Sequence, residues 1–280
     1  MRLLITGGAT GLGQAIALKW AEKWVSKDKD ISICIADINQ ERGDETVGML
    51  SAQGANAFYV HCDITSDDDV KALAQTIESR WGGVDYVFNN AGVATGGSLL
   101  DETIEQWQWV FDINVLGMVR VSRALLPLMR KQCSGYFINV ASQAGLTPIP
   151  YMGSYNAVKA AVVSFSETIK LELAPDNINV SVVCPSFFKT NLDESMRSNN
   201  PASHRMINKF FAKADMTKEE VAESIYQQVS QEKFLILTHK LGKRAFLLKK
   251  LLPTQRYISN MLNQTKTMKR AMESITKEKI

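Results

Sequence analysis

Metal and disulfide chemistry are what this chain of 280 residues is shortest of. Its four cysteines, Cys34, Cys62, Cys133 and Cys184, fall at no metal-ligand spacing, and no partner ligand accompanies His61, His204 or His239. The thiols therefore read as buried and free in a reducing cytosol, and the histidines as surface or loop residues. No apolar run reaches the ~18 residues of a membrane span, and a strand begins at Leu3, where a leader peptide would otherwise stand. These absences point to a cytoplasmic protein. Pro/Gly/Ser-rich linkers and internal repeats are also missing, so nothing divides the chain into two units. Net charge is only +3, and 45% of the residues are hydrophobic, ample for one large core.

What is present begins at once. Leu3-Leu4-Ile5 reads as a buried strand, Thr6-Gly7-Gly8-Ala9-Thr10-Gly11-Leu12-Gly13 follows, and Gln14 to Trp20 is a good helix former. Strand, glycine-rich turn and helix in that order form a pyrophosphate cradle. The glycines let the backbone approach the phosphates, and the new helix presents free N–H groups and its positive dipole end. Further apolar strands, Ile31–Ala36, Ala57–Val60 and Val84–Phe88, alternate with helical stretches. That alternation predicts a Rossmann-like, doubly wound parallel α/β sheet in a single domain.

The second strand ends in Asp37, placed to accept hydrogen bonds from an adenosine ribose and to repel a 2′-phosphate. Neither Thr10 nor Ile38 is a cation, so NAD is favoured over NADP. The interval from Gly7 to Asp37 exceeds the usual ~20 residues, and polar Ser26–Asp30 reads as a lengthened loop that absorbs the excess. Asp63 and Ile64 follow the third strand. Asp63 is placed for the adenine amino group, or for the start of the next helix, where Thr65 and Ser66 offer caps. Asn89-Asn90-Ala91-Gly92 follows the fourth strand, with small residues able to lie against a flat ring.

Tyr155 and Lys159 stand four apart, on one face of a helix, with Ser142 upstream. A phenol is a poor base near its ordinary pKa of about 10. A cation beside it is expected to lower that value and bring it into range for proton transfer.

These elements, in this order and spacing, resemble the classical short-chain dehydrogenases/reductases over roughly residues 1 to 190. The resemblance rests on the glycine turn, Asn89-Asn90-Ala91-Gly92, Asn114, Ser142, and Tyr155 with Lys159. It implies that Tyr155 is the general acid/base, that Ser142 orients the substrate oxygen, and that Lys159 tunes Tyr155 and binds the nicotinamide ribose. Asn114 would hold a water linking Lys159 to solvent. Thr6, Gly7, Gly11, Leu12, Gly13, Asp37, Asp63, Ile64, Asn90, Ala91, Gly92, Pro185 and Thr190 would bind the cofactor, with Thr190 on the carboxamide. Ser186 stands where the family commonly has Gly. No metal is implied. Relatives form dimers or tetramers through helices around residues 103–125 and 155–173, so a homodimer or homotetramer is expected.

By the same resemblance, residues 186–216 cover the substrate. Phe187, Phe188, Leu192, Met196, Met206, Ile207, Phe210 and Phe211 make that segment apolar, suited either to a lipophilic ligand or to packing on the body. Leu99 and Leu100 are candidates for the same wall, and Ser198–Pro201 for a moving lid. Past residue 240 the chain turns basic: eleven Lys or Arg from Lys240 to Lys279 face only Glu273 and Glu278. Apolar residues recur there at helical intervals on both sides of Pro253. Such an extension, 241–280, packs on the body or a partner subunit, or lies on an anionic membrane. Nucleic acid is disfavoured, because beyond Tyr257 few stacking rings stand close to those cations. The resulting expectation is an NAD-dependent oxidoreductase of a lipophilic secondary alcohol or ketone, working in the oxidative direction. The competing one is a non-catalytic dinucleotide sensor or scaffold with a basic docking tail.

Overall fold

The computed structural model describes residues 1–188, 196–201, 205 and 214–277, with backbone alone for 264, 267 and 270–277. Strands β1 (Arg2–Thr6), β2 (Ser32–Asp37), β3 (Asn56–His61), β4 (Tyr86–Asn89), β5 (Gly135–Val140), β6 (Ile178–Val183) and β7 (Leu235–Ile236) form one sheet in the order β3-β2-β1-β4-β5-β6-β7. Every pairing is parallel. The order reverses between β1 and β4, the place where open parallel sheets form their ligand crevice.

Helices α1 (Gly11–Val25), α2 (Gln40–Ala52), α3 (Asp67–Trp81), α4 (Ile104–Phe111), α5 (Met118–Lys131), α6 (Gly153–Leu173) and α7 (Lys218–Val229) flank the sheet. Because side chains alternate along a strand, both faces of a central strand must be apolar. β1 shows this: Leu3 and Ile5 pack in one layer with Trp20, while Leu4 packs in the other with Leu73 and Leu125. Trp20 holds α1 to the sheet and to α7, with its ring edge-on to Phe88 and Tyr226 at 4.9 Å from each. β3, at the sheet edge, is only half-buried.

Between α4 and α5, Asp112–Gly117 form a π-helical turn. A Cβ on Gly117 would stand 2.6 Å from Ile64 Cδ1, so that turn packs tightly on the end of β3. After β7 the chain continues as α8 (Lys240–Leu251) and α9 (Thr254–Lys277). Leu252 is extended (ψ 142°) before Pro253, which breaks the two helices apart.

Candidate active site

The glycine turn is built on close backbone approach. Gly7 has φ +61°, and a Cβ there would lie 2.7 Å from Ala91 Cα. A Cβ on Gly13 would meet Gly7 O at 2.2 Å and Asn90 Nδ2 at 2.6 Å. The first turn and the end of β4 are thus locked together, and Asn90 Nδ2 donates to the carbonyls of Thr6 (3.1 Å) and Gly7 (2.9 Å). Thr10 gives α1 no side-chain cap, whereas Asn39, Ser66, Thr103 and Thr217 cap α2, α3, α4 and α7. The α1 terminus is left to stabilise an anion. Gly7, Gly11 and Leu12 line the cleft. Thr6 and Gly13 do not: Thr6 is buried, its Oγ1 accepting from Asn90 N (3.1 Å) and Ala91 N (3.2 Å), so both residues build the floor from behind.

Asp37 and Ile64 also line the cleft. Asp37 Oδ2 accepts from Ala9 N (3.0 Å) and Oδ1 from Asn39 N (3.1 Å), which ties β2 to the glycine turn. Arg42 lies in the same lining; it is a cation beyond the two positions the sequence reading weighed. Asp63 stands just before the start of α3 and faces the cleft. Its Oδ1 accepts from Thr65 N (2.9 Å) and Oγ1 (2.8 Å) while Ser66 caps α3.

At the other end, α6 carries Tyr155 and Lys159 into the same cleft as Ser142, all three in its lining. Ser142 Oγ accepts from Ala144 N at 3.1 Å and donates to Pro185 O at 3.5 Å, and it lies close enough to the Tyr155 phenol to hold down that group's pKa. Lys159 Nζ donates to Val140 O at 3.1 Å and lies 5.7 Å from the Tyr155 ring centroid. Asn114, on the π-helical turn, is fully buried and donates to Val93 O and Val110 O, each at 3.0 Å. Its Oδ1 is buried and takes no protein donor. Both Asn114 Oδ1 and Lys159 Nζ surround the point where a Cβ on Gly92 would sit, at 2.7 and 3.4 Å. An orphaned buried acceptor beside a buried amine suits a bridging water.

The electrostatics correct one expectation. Burial pushes the Tyr155 phenol up to about 12, opposed by Ser142 beside it, and pushes the Lys159 amine down to about 8. Lys159 does not lower Tyr155 here, because its ammonium points at Val140 O and the ring face. Desolvation dominates both groups. Lys159 is therefore the first of the two to lose its proton as the pH rises.

Glu102 and His239, which no local pattern announced, brace the site from behind, and Pro185 stands where it was expected in sequence. The carboxylate of Glu102, itself buried, accepts from Ser154 N (3.1 Å) and Ser154 Oγ (2.7 Å), capping α6 one residue before Tyr155. Pro185 lines the cleft, and its carbonyl accepts from Gln143 N at 2.7 Å. His239 is not a surface residue: it is buried, and its Nδ1 accepts from Ser186 N at 3.2 Å, fixing the turn after β6. Cys34, Cys62 and Cys184 are buried free thiols as expected, and Cys133 is exposed.

The cleft holds about 1440 Å³, above the ~300–1,000 Å³ of ordinary ligand pockets. It has room for a dinucleotide and a second molecule. Ala94, Ile149, Met152, Phe187, Met261 and Met268 surround its catalytic end. Met261 and Met268 come from α9, so the C-terminal helices roof the site. Leu99 and Leu100 are not in its wall; they are 83% and 96% exposed. The Ser198–Pro201 stretch is pinned, with Asn199 Nδ2 donating to Asp101 O and Asn200 Nδ2 to Asp101 Oδ2, each at 3.1 Å. Thr190, Leu192, His204, Met206, Ile207, Phe210 and Phe211 lie outside the described residues.

Comparison with known proteins agrees with this geometry. The sequence model of the short chain dehydrogenase family matches residues 2–201. A 3-oxoacyl-[acyl-carrier-protein] reductase of Synechocystis is 32% identical over 195 residues, 70% of this chain and 77% of the relative. A cyclopentanol dehydrogenase of Comamonas is 29% identical over 230 residues, 82% of this chain and 90% of the relative. Among solved structures, a short chain dehydrogenase/reductase of Burkholderia phymatum in complex with NAD superposes with TM-score 0.82 at 31% identity, covering 89% of this chain and 92% of that one.

Proposed function

From the premise that this chain belongs to the short-chain dehydrogenase/reductase family of oxidoreductases, we propose that it oxidises a lipophilic secondary alcohol to a ketone with NAD. A nicotinamide dinucleotide fits the cleft: the uncapped α1 terminus faces a phosphate site, the glycine turn leaves no room for a Cβ, and Asp37 waits at the ribose end. When bound, it supplies the hydride acceptor. The protein's own residues move the proton and place the substrate.

In this reading Ser142 Oγ holds the substrate oxygen beside Tyr155 Oη. Tyr155 takes the hydroxyl proton as it passes its own phenol proton toward the neutral amine of Lys159, while hydride leaves the carbinol carbon. Lys159 then relays that proton, with the water at Asn114 Oδ1 carrying it to solvent. Thr190 is assigned to the carboxamide by resemblance. Asp37 favours NAD, its carboxylate accepting from the ribose hydroxyls and repelling a 2′-phosphate. Arg42 beside it supports the runner-up, an NADP enzyme.

One observation carries the substrate class. Around Ser142 and Tyr155 the described lining includes Ala94, Ala144, Pro148, Ile149, Met152 and Phe187 with the neutral Gln143, Thr147 and Ser186, and no carboxylate or guanidinium. A neutral, apolar ligand is accepted there at the least desolvation cost. Residues 1–240 form the catalytic domain in this reading, and 241–280 an extension that roofs it. Ile104, Phe111, Leu116 and Leu171 leave apolar surface on α4, the π-helical turn and α6, where a second copy would pair.

The test is to mix purified protein with NAD or NADP and a series of secondary alcohols graded by apolar bulk. Reduced-nicotinamide absorbance should grow with NAD, and kcat/KM should rise with bulk. Preference for charged or small polyhydroxylated alcohols would refute the substrate class.

A further inference from the structure

The two parts of this chain differ sharply in charge. Residues 1–232 hold 20 Lys and Arg against 27 Asp and Glu, a balance of −7. Residues 233–280 hold 12 against 2, a balance of +10, and from Lys233 to Met272 there is no carboxylate at all. Helices α8 and α9 arise from this stretch. Lys243, Arg244, Lys250, Arg256, Lys266 and Lys269 are exposed on them.

The same helices leave apolar side chains in solvent. Leu241, Leu247, Leu248, Leu251, Ile258 and Leu262 are all exposed, Leu251 at 73%. Exposed leucines in one place signal a surface that meets something apolar. Cations among them, with no carboxylate between Lys233 and Met272, specify that its outer layer is anionic. No described helix is long and apolar enough to cross a membrane, so the fitting geometry is one that lies on the surface.

Two of these leucines have a second position. Leu241 and Leu248 are exposed and also line the catalytic cleft, as do Ala245, Tyr257 and Met261 of the same helices. The apolar surface is therefore continuous with the mouth of the cleft. Lys249 fixes α8 there, bonding to Leu146 O beside the segment that carries Ser142.

We propose that α8 and α9 dock the enzyme on an anionic bilayer, leucines in the acyl boundary and cations at the headgroups, so that the cleft opens against the membrane. The purpose of that orientation rests on the lipophilic-substrate reading above, because such an alcohol partitions into the bilayer and enters from it. Docking itself is measured without turnover.

Full-length protein is sedimented with vesicles of phosphatidylcholine alone or mixed with phosphatidylserine. It should pellet with the mixed vesicles, release at high salt, and stay in the supernatant with phosphatidylcholine alone. The double variant Leu247→Asp, Leu251→Asp, whose residues lie outside the cleft lining, should bind mixed vesicles at least tenfold more weakly. Its helix content and its turnover of a water-soluble secondary alcohol should equal the parent's. A parent that stays in the supernatant overturns the proposal, as does a variant that pellets equally well. Conversion of a dimer or tetramer to monomer in that variant, with vesicle binding unchanged, assigns the face to subunit contact and also overturns it. Lack of turnover by the parent in the absence of vesicles tests the oxidoreductase reading alone.

Discussion

The two ends of the cleft are made in different ways. At the end beside the glycine turn, that turn, Asp37 and Asn90 interact through backbone contacts set by β1, β2 and β4, strands that are neighbours in the sheet. At the substrate end, the wall comes from Thr147–Met152, Phe187 and two helices near the C-terminus, joined only by packing. The first end tolerates almost no added atom; the second is lined by flexible Met and Leu side chains. A site that must hold one invariant ligand is rigid, and a site free to select among ligands is assembled from adaptable parts.

Breaking the rigid end should produce the larger effects. Gly13→Val places carbon on Gly7 O, and overpacking of about 1–3 kcal/mol corresponds to a loss of dinucleotide affinity of about fivefold to ~150-fold. Calorimetric titration measures this, and affinity equal to the parent's would show that the turn yields freely. Asp37→Ala removes the ribose acceptor and the repulsion of a 2′-phosphate, so the preference for NAD over NADP should fall by about tenfold. Arg42→Ala should leave that preference nearly unchanged. A parent that prefers NADP, and loses the preference with Arg42→Ala, would reverse the assignment.

A finer effect separates proton transfer from binding. Lys159 is depressed to about 8 by burial, so the state with one proton fewer is scarce below that pH and dominant above it. Alcohol oxidation needs that state; kcat/KM should therefore rise about tenfold from pH ~7 to a plateau above the inflection. Ketone reduction should fall over the same range. Lys159→Met should remove the inflection in the pH profile, and its persistence would assign the titration to another group.

The sequence made the rigid end legible because its signals are local. Strand, glycine turn and helix are contiguous, and Tyr155 and Lys159 share one helix. Strands β1 to β4 were readable from apolar runs, and Ser26–Asp30 does lie in the connection between α1 and β2. What stayed hidden was produced by tertiary contact. Glu102 caps a helix 52 positions away, His239 holds a turn 53 positions away, and neither has a sequence pattern to mark it. The direction of the Tyr155 shift was misjudged for a related reason. Helical spacing places the amine near the ring, but burial and the Val140 carbonyl decide where the ammonium points. Leu99 and Leu100 look like pocket residues by composition, and only the path of their loop places them in solvent.

The most direct test follows one turnover with saturating NAD and a secondary alcohol, reading reduced nicotinamide and released protons together in the parent and in Tyr155→Phe. The parent should release one proton for each nicotinamide reduced. The variant should bind NAD within about twofold of the parent, yet reduce it at least ~100-fold more slowly. A variant that reduces NAD at the parent's rate, with the same proton release, would contradict the account.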